Sequence, residues 1–321
     1  STTERSVAGT RTSPMSDPQV GDRADLATVV TELAALRRQV AALTRRLDGV
    51  GESVDVRLAR RGFTVLRAEP LEACCFPAEA DEAFLDTLYE WLKKYSFRLV
   101  LRDMIREAEG FAIEDLTRYC ARSQCERYVA QATGLGLVEP AGPTRWRLAA
   151  GARDSFGETL EWFVAELFGR EFGCEASWGI TLRDTKHGGD YDVIAFVEGH
   201  LVYVEVKSAP PKHIASHEVA AFFRRVRTLK PQMAIFFEDT ELRMADKVVP
   251  MVEEVLAAEY GSAVADYPVV RLQDELFHIN HALYIVNARP DVAGNFAVCL
   301  RDFLGTRARP TDPVLNPPPA S

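Results

Sequence analysis

Apolar residues recur at alternating three- and four-residue spacings from Leu26 through Val29, Leu33, Leu36, Val40, Leu43 and Leu47 to Val50. That narrow seam, with Glu32, Arg37, Arg38, Arg45 and Arg46 outside it, predicts a coiled coil over residues 23–50. A parallel homodimer follows; the alternative is one amphipathic helix packed on its own domain, which requires a wider stripe. Further on, helical spacing predicts helices at 83–95, 99–108, 113–120 and 123–132, with stops at Gly110 and Gly134. Residues 135–138 and 144–148 read as two short strands around Pro140-Ala-Gly-Pro143. Residues 156–168 are again helical, and then the period changes to two: residues 191–206, YDVIAFVEGHLVYVEV, are two β-rich runs separated by Glu198-Gly199. Strands at 232–237 and 282–287 and helices at 242–259 and 292–303 complete an α/β pattern, a mixed sheet covered by helices on both faces.

The ends carry no such pattern. Residues 1–22, rich in Ser, Thr, Pro and Gly, and residues 306–321, with five prolines, read as disordered. A chain of 321 residues is long for one domain, so the expected organisation is a middle unit at 62–150 and a larger one at 151–305. At 47% hydrophobic residues a large core is available. No run approaches the roughly 18 consecutive apolar residues of a membrane span, and the polar start lacks a secretory layout. A soluble, cytoplasmic protein without membrane partners is the expectation. The six cysteines form no C-x-x-C pair and have no histidine at zinc spacing, as expected of reduced thiols. A net charge of −9 opposes loose, charge-driven adhesion to nucleic acid, so any such contact must be local. Gly-rich phosphate loops, a G-x-S-x-G elbow and solenoid repeats are absent.

Helices followed by LGLVEPAGPTRWRLA resemble a winged helix-turn-helix. The resemblance implies that Arg122, Ser123, Gln124 and Arg127 begin a recognition helix and that Arg145 and Arg147 lie on a wing touching nucleic-acid backbone. Acidic and basic residues balance over 82–150, so a role in protein contact or dimer support stands beside DNA binding.

The hairpin around Glu198-Gly199 carries the chemistry. A two-residue loop makes Val197 face His200, and counting back along both strands sets Asp192 opposite Glu205. Opposed residues have Cβ atoms about 5 Å apart, close enough for two carboxylates to share one divalent cation. Lys207 falls on the face of Glu205, while Val202, Val204 and Val206 point the other way into a core layer. Asp190 competes with Asp192: it lies on the same face, and a shifted register would make it the first aspartate.

The segment GGDYDVIAFVEGHLVYVEVKS, with its Asp-x(12)-Glu-Val-Lys spacing, resembles the core of the PD-(D/E)xK nuclease superfamily, over roughly residues 155–240. The resemblance implies a restriction-endonuclease-like fold in which Asp192, Glu205 and the Val206 carbonyl hold Mg²⁺ or Mn²⁺. It also implies a water activated for in-line attack on a phosphodiester, and Lys207 orienting the nucleophile and adding positive charge. Family members add a helix glutamate in a pattern like Gly-x-x-Leu-Glu; Gly157-Glu-Thr-Leu-Glu161 matches, which points to Glu161. Beyond the lysine, residues 217–227 read as a helix with Glu218, Phe222 and Arg225 on one face, and Arg224 and Arg225 are the candidates there for phosphate contact. The function expected is a Mg²⁺-dependent nuclease acting on DNA as an endonuclease. The alternative is a DNA- or protein-binding regulator with a nuclease-like platform that has no turnover.

Overall fold

The two runs flanking Glu198 and Gly199 lie inside an eight-stranded mixed sheet in the computed structural model, which describes residues 52–77, 80–149, 156–183, 190–208 and 214–306. The coiled-coil segment 23–50 and the first tail lie outside the described residues, as does the second tail except Thr306, which closes the last helix. In chain order the helices are α1 Val54–Arg60, α2 Glu82–Leu92, α3 Tyr95–Arg106, α4 Arg122–Gly134, α5 Gly157–Phe172, α6 Ser216–Leu229, α7 Val248–Tyr260 and α8 Val292–Thr306. The strands are β1 Val65–Arg67, β2 Val138–Gly142, β3 Arg145–Leu148, β4 Glu175–Leu182, β5 Asp190–Val197, β6 His200–Lys207, β7 Met233–Glu238, β8 Val269–Gln273, β9 Leu276–Ile279 and β10 Leu283–Val286. Strands β2 and β3 form a separate hairpin; the large sheet runs β1-β4-β5-β6-β7-β10-β9-β8, with β6, β7 and β10 parallel and the other neighbours antiparallel.

The central strands are apolar on both faces because both are covered. Val193, Ala195, Val202, Val204, Ile235 and Phe237 pack against α5 and α8, where Phe296 meets Phe237 at 5.5 Å and Phe168 at 5.8 Å. Ile194, Phe196, Leu201, Tyr203, Ala234 and Phe236 pack against α6 and α7. Each fully buried Leu or Phe contributes roughly 1.5–3 kcal/mol, so these two layers fix the order of the sheet. The fold class expected, a mixed sheet flanked by helices, is the one observed.

Several elements differ from the sequence reading for local reasons. The helix expected at 83–95 ends at Leu92, and a second begins at Tyr95. Asp81 caps the first by accepting the Phe84 N–H at 2.8 Å. The helix expected at 113–120 is only a 3₁₀ turn, Ile113–Leu116, too short to propagate. The helix expected from 242 begins at Val248, which puts Pro250 in its first turn, where a missing N–H costs nothing. Strands β1, β4, β8 and β9 are additions that periodicity did not announce; β4 contains Gly179, and β8 is mostly exposed, with Arg271 and Gln273 among its apolar residues.

The middle segment shares a core with the sheet. Tyr89 of α2 meets Phe163 of α5 at 5.5 Å, and Phe76 meets Trp162 at 5.1 Å. Residues 65–67, grouped by sequence with the middle unit, pair with β4 at the sheet edge. Helix α3 goes further and grips the strand ends. Arg98, 1% exposed, places Nε 2.8 Å from Asp239 Oδ1 just beyond β7. Arg102 donates to the Ser208 carbonyl just beyond β6, and the Asp239 N–H donates to the Lys207 carbonyl at 2.8 Å.

Removing one partner of a buried ion pair strands the other charge, at a cost of about 3–5 kcal/mol, whereas replacing both with apolar groups is often neutral. Arg98→Ala should therefore lower the unfolding free energy by about that amount in a guanidinium titration. The pair Arg98→Leu with Asp239→Leu should recover most of the loss; a double variant no more stable than the single would show that the ion pair is not the source.

Candidate active site

The hairpin register is the expected one: Val197 pairs with His200 and Val193 with Val204. Glu198 and Gly199 both have positive φ, 47° and 80°, as a tight hairpin loop of matching twist requires. Backbone pairing between β5 and β6 stops at Val193 and Val204, while β5 continues against β4 to Asp190 and β6 continues against β7 to Lys207. The strands part at the next residue, and Asp192 stands in the fork. Its Oδ2 accepts the Val206 N–H at 2.7 Å, so a side chain satisfies the donor that strand pairing has abandoned.

Glu205, across the fork, is 1% exposed and carries three donors. Arg225 Nη1 lies 2.9 and 3.0 Å from its two oxygens, Lys207 Nζ lies 2.9 Å from Oε1, and the Tyr203 hydroxyl donates to Oε2. Burial raises the Tyr203 pKa well above the ordinary phenol range, so it remains a donor. Tyr203 is held against Phe222 of α6 at 5.8 Å, one turn before Arg225. Lys207 also approaches Glu218 of α6 at 3.5 Å. Thus Glu218, Phe222 and Arg225, expected on one helix face, all meet the β6 strand.

Glu161 reaches the same place from α5. A Cβ built on Gly179 of β4 would lie 3.9 Å from Glu161 Oε2 and only 2.7 Å from Pro70 Cδ. Gly179 has φ +55°, and across it the face of the sheet switches: Trp178 and Val193 pack into one layer, Ile180 and Tyr191 into the other. Only glycine allows both that twist and the approach of Pro70.

Three carboxylates thus stand against two cations. Burial first, then Asp192 and other nearby acids, push the Glu161 carboxyl up to about 9. Burial first, then Glu205, push Asp192 up to about 7, despite the opposing pull of the Val206 N–H, Lys207 and Arg225. Like charges crowded in a dry pocket shed their repulsion by binding protons or by sharing a cation. The donor chemistry, hard carboxylate oxygens beside one another, fits Mg²⁺ or Mn²⁺. Among the described residues no three acidic, imidazole or thiolate groups already form a cage. Glu205 in particular spends its oxygens on Tyr203, Arg225 and Lys207, so taking up a cation means exchanging one of these donors.

The remaining candidates fall elsewhere. Asp190 is exposed and accepts the Thr181 hydroxyl at 2.9 Å, at the β4 side of β5. Arg225, expected to reach out to phosphate, is instead turned inward onto Glu205, because a buried carboxylate attracts it more strongly than solvent does. Arg224 is half-buried on the same helix. In the middle segment Arg122 binds Glu114 and Glu126, Arg147 binds Glu139, Arg127 binds Gln124, and Arg145 donates to the Gly110 carbonyl at 2.7 Å. Those arginines are paired locally and do not converge on the fork. Tyr203 and Gly179 escaped sequence reasoning; an aromatic two residues before the glutamate was the available signal for the first.

No family model matches the chain, and no curated protein matches it. Among solved structures it is similar to protein VC1899 from Vibrio cholerae, with 12% identity and a TM-score of 0.43 over 64% of this chain and 56% of that one. It is also similar to Can2 from Sulfobacillus thermosulfidooxidans in complex with cyclic tetra-adenylate, with 14% identity and a TM-score of 0.44 over 79% of this chain and 61% of that one. The chain therefore spans less than two thirds of the length of either neighbour.

Gly179→Ala should destabilise the fold by about 1–3 kcal/mol, from the left-handed backbone and the Pro70 contact together. Denaturant titration reads that loss; stability equal to the parent would show that the β4 twist relaxes freely.

Proposed function

We propose that the chain is a metal-dependent nuclease that hydrolyses phosphodiester bonds in DNA. The observation that carries this reading is the convergence of Glu161, Asp192, Glu205 and Lys207 at the fork between β5 and β6, with an excess of carboxylate over cation. Glu161, Asp192 and Glu205, with the Val206 carbonyl, are the groups that would hold Mg²⁺ or Mn²⁺. When bound, such an ion acidifies water and stabilises charge on phosphate oxygens.

The rest of the chemistry belongs to the chain's own residues. Asp192 is fixed by the Val206 N–H, so its second oxygen has a set direction. Glu205 is fixed from one side by Tyr203 and Arg225, whose donors set the direction of its two oxygens. Lys207 keeps its proton: burial works against the ammonium, but Glu205 more than offsets it and leaves the pKa above the ordinary value. Its role is therefore electrostatic, to hold a phosphate oxygen or the attacking water and to balance charge as the bond breaks. As a permanently charged group it is a poor general base.

The seam from Leu26 to Val50 would join two such chains, so that one assembly carries two sites. Arg122, Gln124, Arg127, Arg145 and Arg147 would supply local backbone contacts once their acidic neighbours are exchanged for phosphate. Arg224 would do the same beside the fork.

Lys207→Ala should reduce Mg²⁺- or Mn²⁺-dependent cleavage of labelled DNA by about a hundredfold or more, with the denaturation midpoint little changed. A panel of single- and double-stranded DNA and RNA identifies the substrate in the same assay. Cleavage at parental rate by the variant would sink the assignment, and binding without turnover in either metal would replace it with a nucleic-acid-binding platform.

A further inference from the structure

Glu238 ends β7 fully buried, yet neither of its carboxylate oxygens has a hydrogen-bond partner. A buried carboxylate left alone is costly, and it sheds that cost by binding a proton or by gaining a partner. In the parallel pairing of β6 and β7, Glu238 is the register partner of Lys207. Such neighbours lie about 4.8 Å apart with side chains on the same face. Ala234 and Phe236 on β7 and Leu201 and Tyr203 on β6 define that face, the one packed beneath α6 and α7.

The charges around Glu238 agree with this placement. Burial first, then Asp239 and Glu218, push its carboxyl up to about 9, while Lys207 and Lys247 pull it down. Asp239 is already committed to Arg98, and Glu218 Oε2 accepts the Ala215 N–H at 3.0 Å. Lys207 therefore stands among Glu205, which also carries Arg225 and Tyr203, Glu218 at 3.5 Å, which already accepts the Ala215 N–H, and Glu238, whose oxygens have no donor.

We propose that Glu238 is the second seat of the Lys207 ammonium: when Glu205 takes up a divalent cation, Lys207 moves to Glu238 and remains ordered beside the site. The inference rests on the nuclease reading above and makes Glu238 a positioning residue. The electrostatic reason is that a divalent cation on Glu205 repels Lys207 and Arg225 together. Arg225 is tied to both oxygens, whereas Lys207 is held by one, with Glu218 at 3.5 Å and the Glu238 carboxyl beside it. The move relieves the repulsion and gives Glu238 a partner, and the proton that the buried Glu238 carboxyl holds passes to solvent as the pair forms.

Calorimetric titration of the full chain with Mn²⁺ tests this, using the parent, Glu238→Gln, Lys207→Met and the double variant. Glu238→Gln should weaken Mn²⁺ binding by about tenfold, the scale of one lost charge partner. In the Lys207→Met background the same change should shift affinity by no more than about twofold, because the two residues act as a unit. The denaturation midpoint of Glu238→Gln should equal or exceed that of the parent; if the amide variant does not fold, Glu238→Leu serves the same comparison. Unchanged affinity in Glu238→Gln overturns the proposal, as does an equal loss in both backgrounds, which would mean that Glu238 touches the cation itself. Failure of the parent to bind Mn²⁺ overturns the metal reading and this inference together, so the two failures are distinct.

Discussion

The hydrogen bond from the Val206 N–H to Asp192 is the point on which the candidate site depends. Two strands cannot separate inside a core without leaving backbone donors unpaired, and each orphan costs as much as a lost hydrogen bond. Asp192 meets that cost with its own side chain. The fork can then open, and a carboxylate is held at its apex beside the buried Glu205.

A fork filled with acids would be unstable without counter-charge, and the surrounding elements supply it. Helix α6 brings Arg225, β6 itself brings Tyr203 and Lys207, and each acts on the same carboxylate. Helix α3 secures the two strand ends from the opposite face, through Arg98 on Asp239 and Arg102 on Ser208. The middle segment is thus mechanically continuous with the end of the strand that carries Lys207. Few of these groups could be altered without moving the others, since Tyr203, Arg225 and Lys207 all share the one buried carboxylate of Glu205.

What could be read in advance was what short-range rules control. The Glu198-Gly199 loop sets the register of β5 and β6, because a two-residue hairpin leaves no slack and positive φ at both positions matches the twist. Alternation then placed Val202, Val204 and Val206 in one layer and Glu205 and Lys207 on the other face. Helical spacing likewise put Glu218, Phe222 and Arg225 on a common side of α6.

The direction in which Arg225 points was not legible, since a helix position says which face a residue occupies but not whether solvent or a buried anion lies opposite. Nor was the partnership of Arg98 with Asp239, which are 141 residues apart in the chain, or the need for glycine at 179, which arises from Pro70 and the local twist. The isolation of Glu238 depends on three elements that meet only when folded. Sequence alone therefore determined the chemical inventory and its local register, through turn geometry and side-chain periodicity. Tertiary structure decided which charges are buried together, because that follows from contacts between elements far apart along the chain.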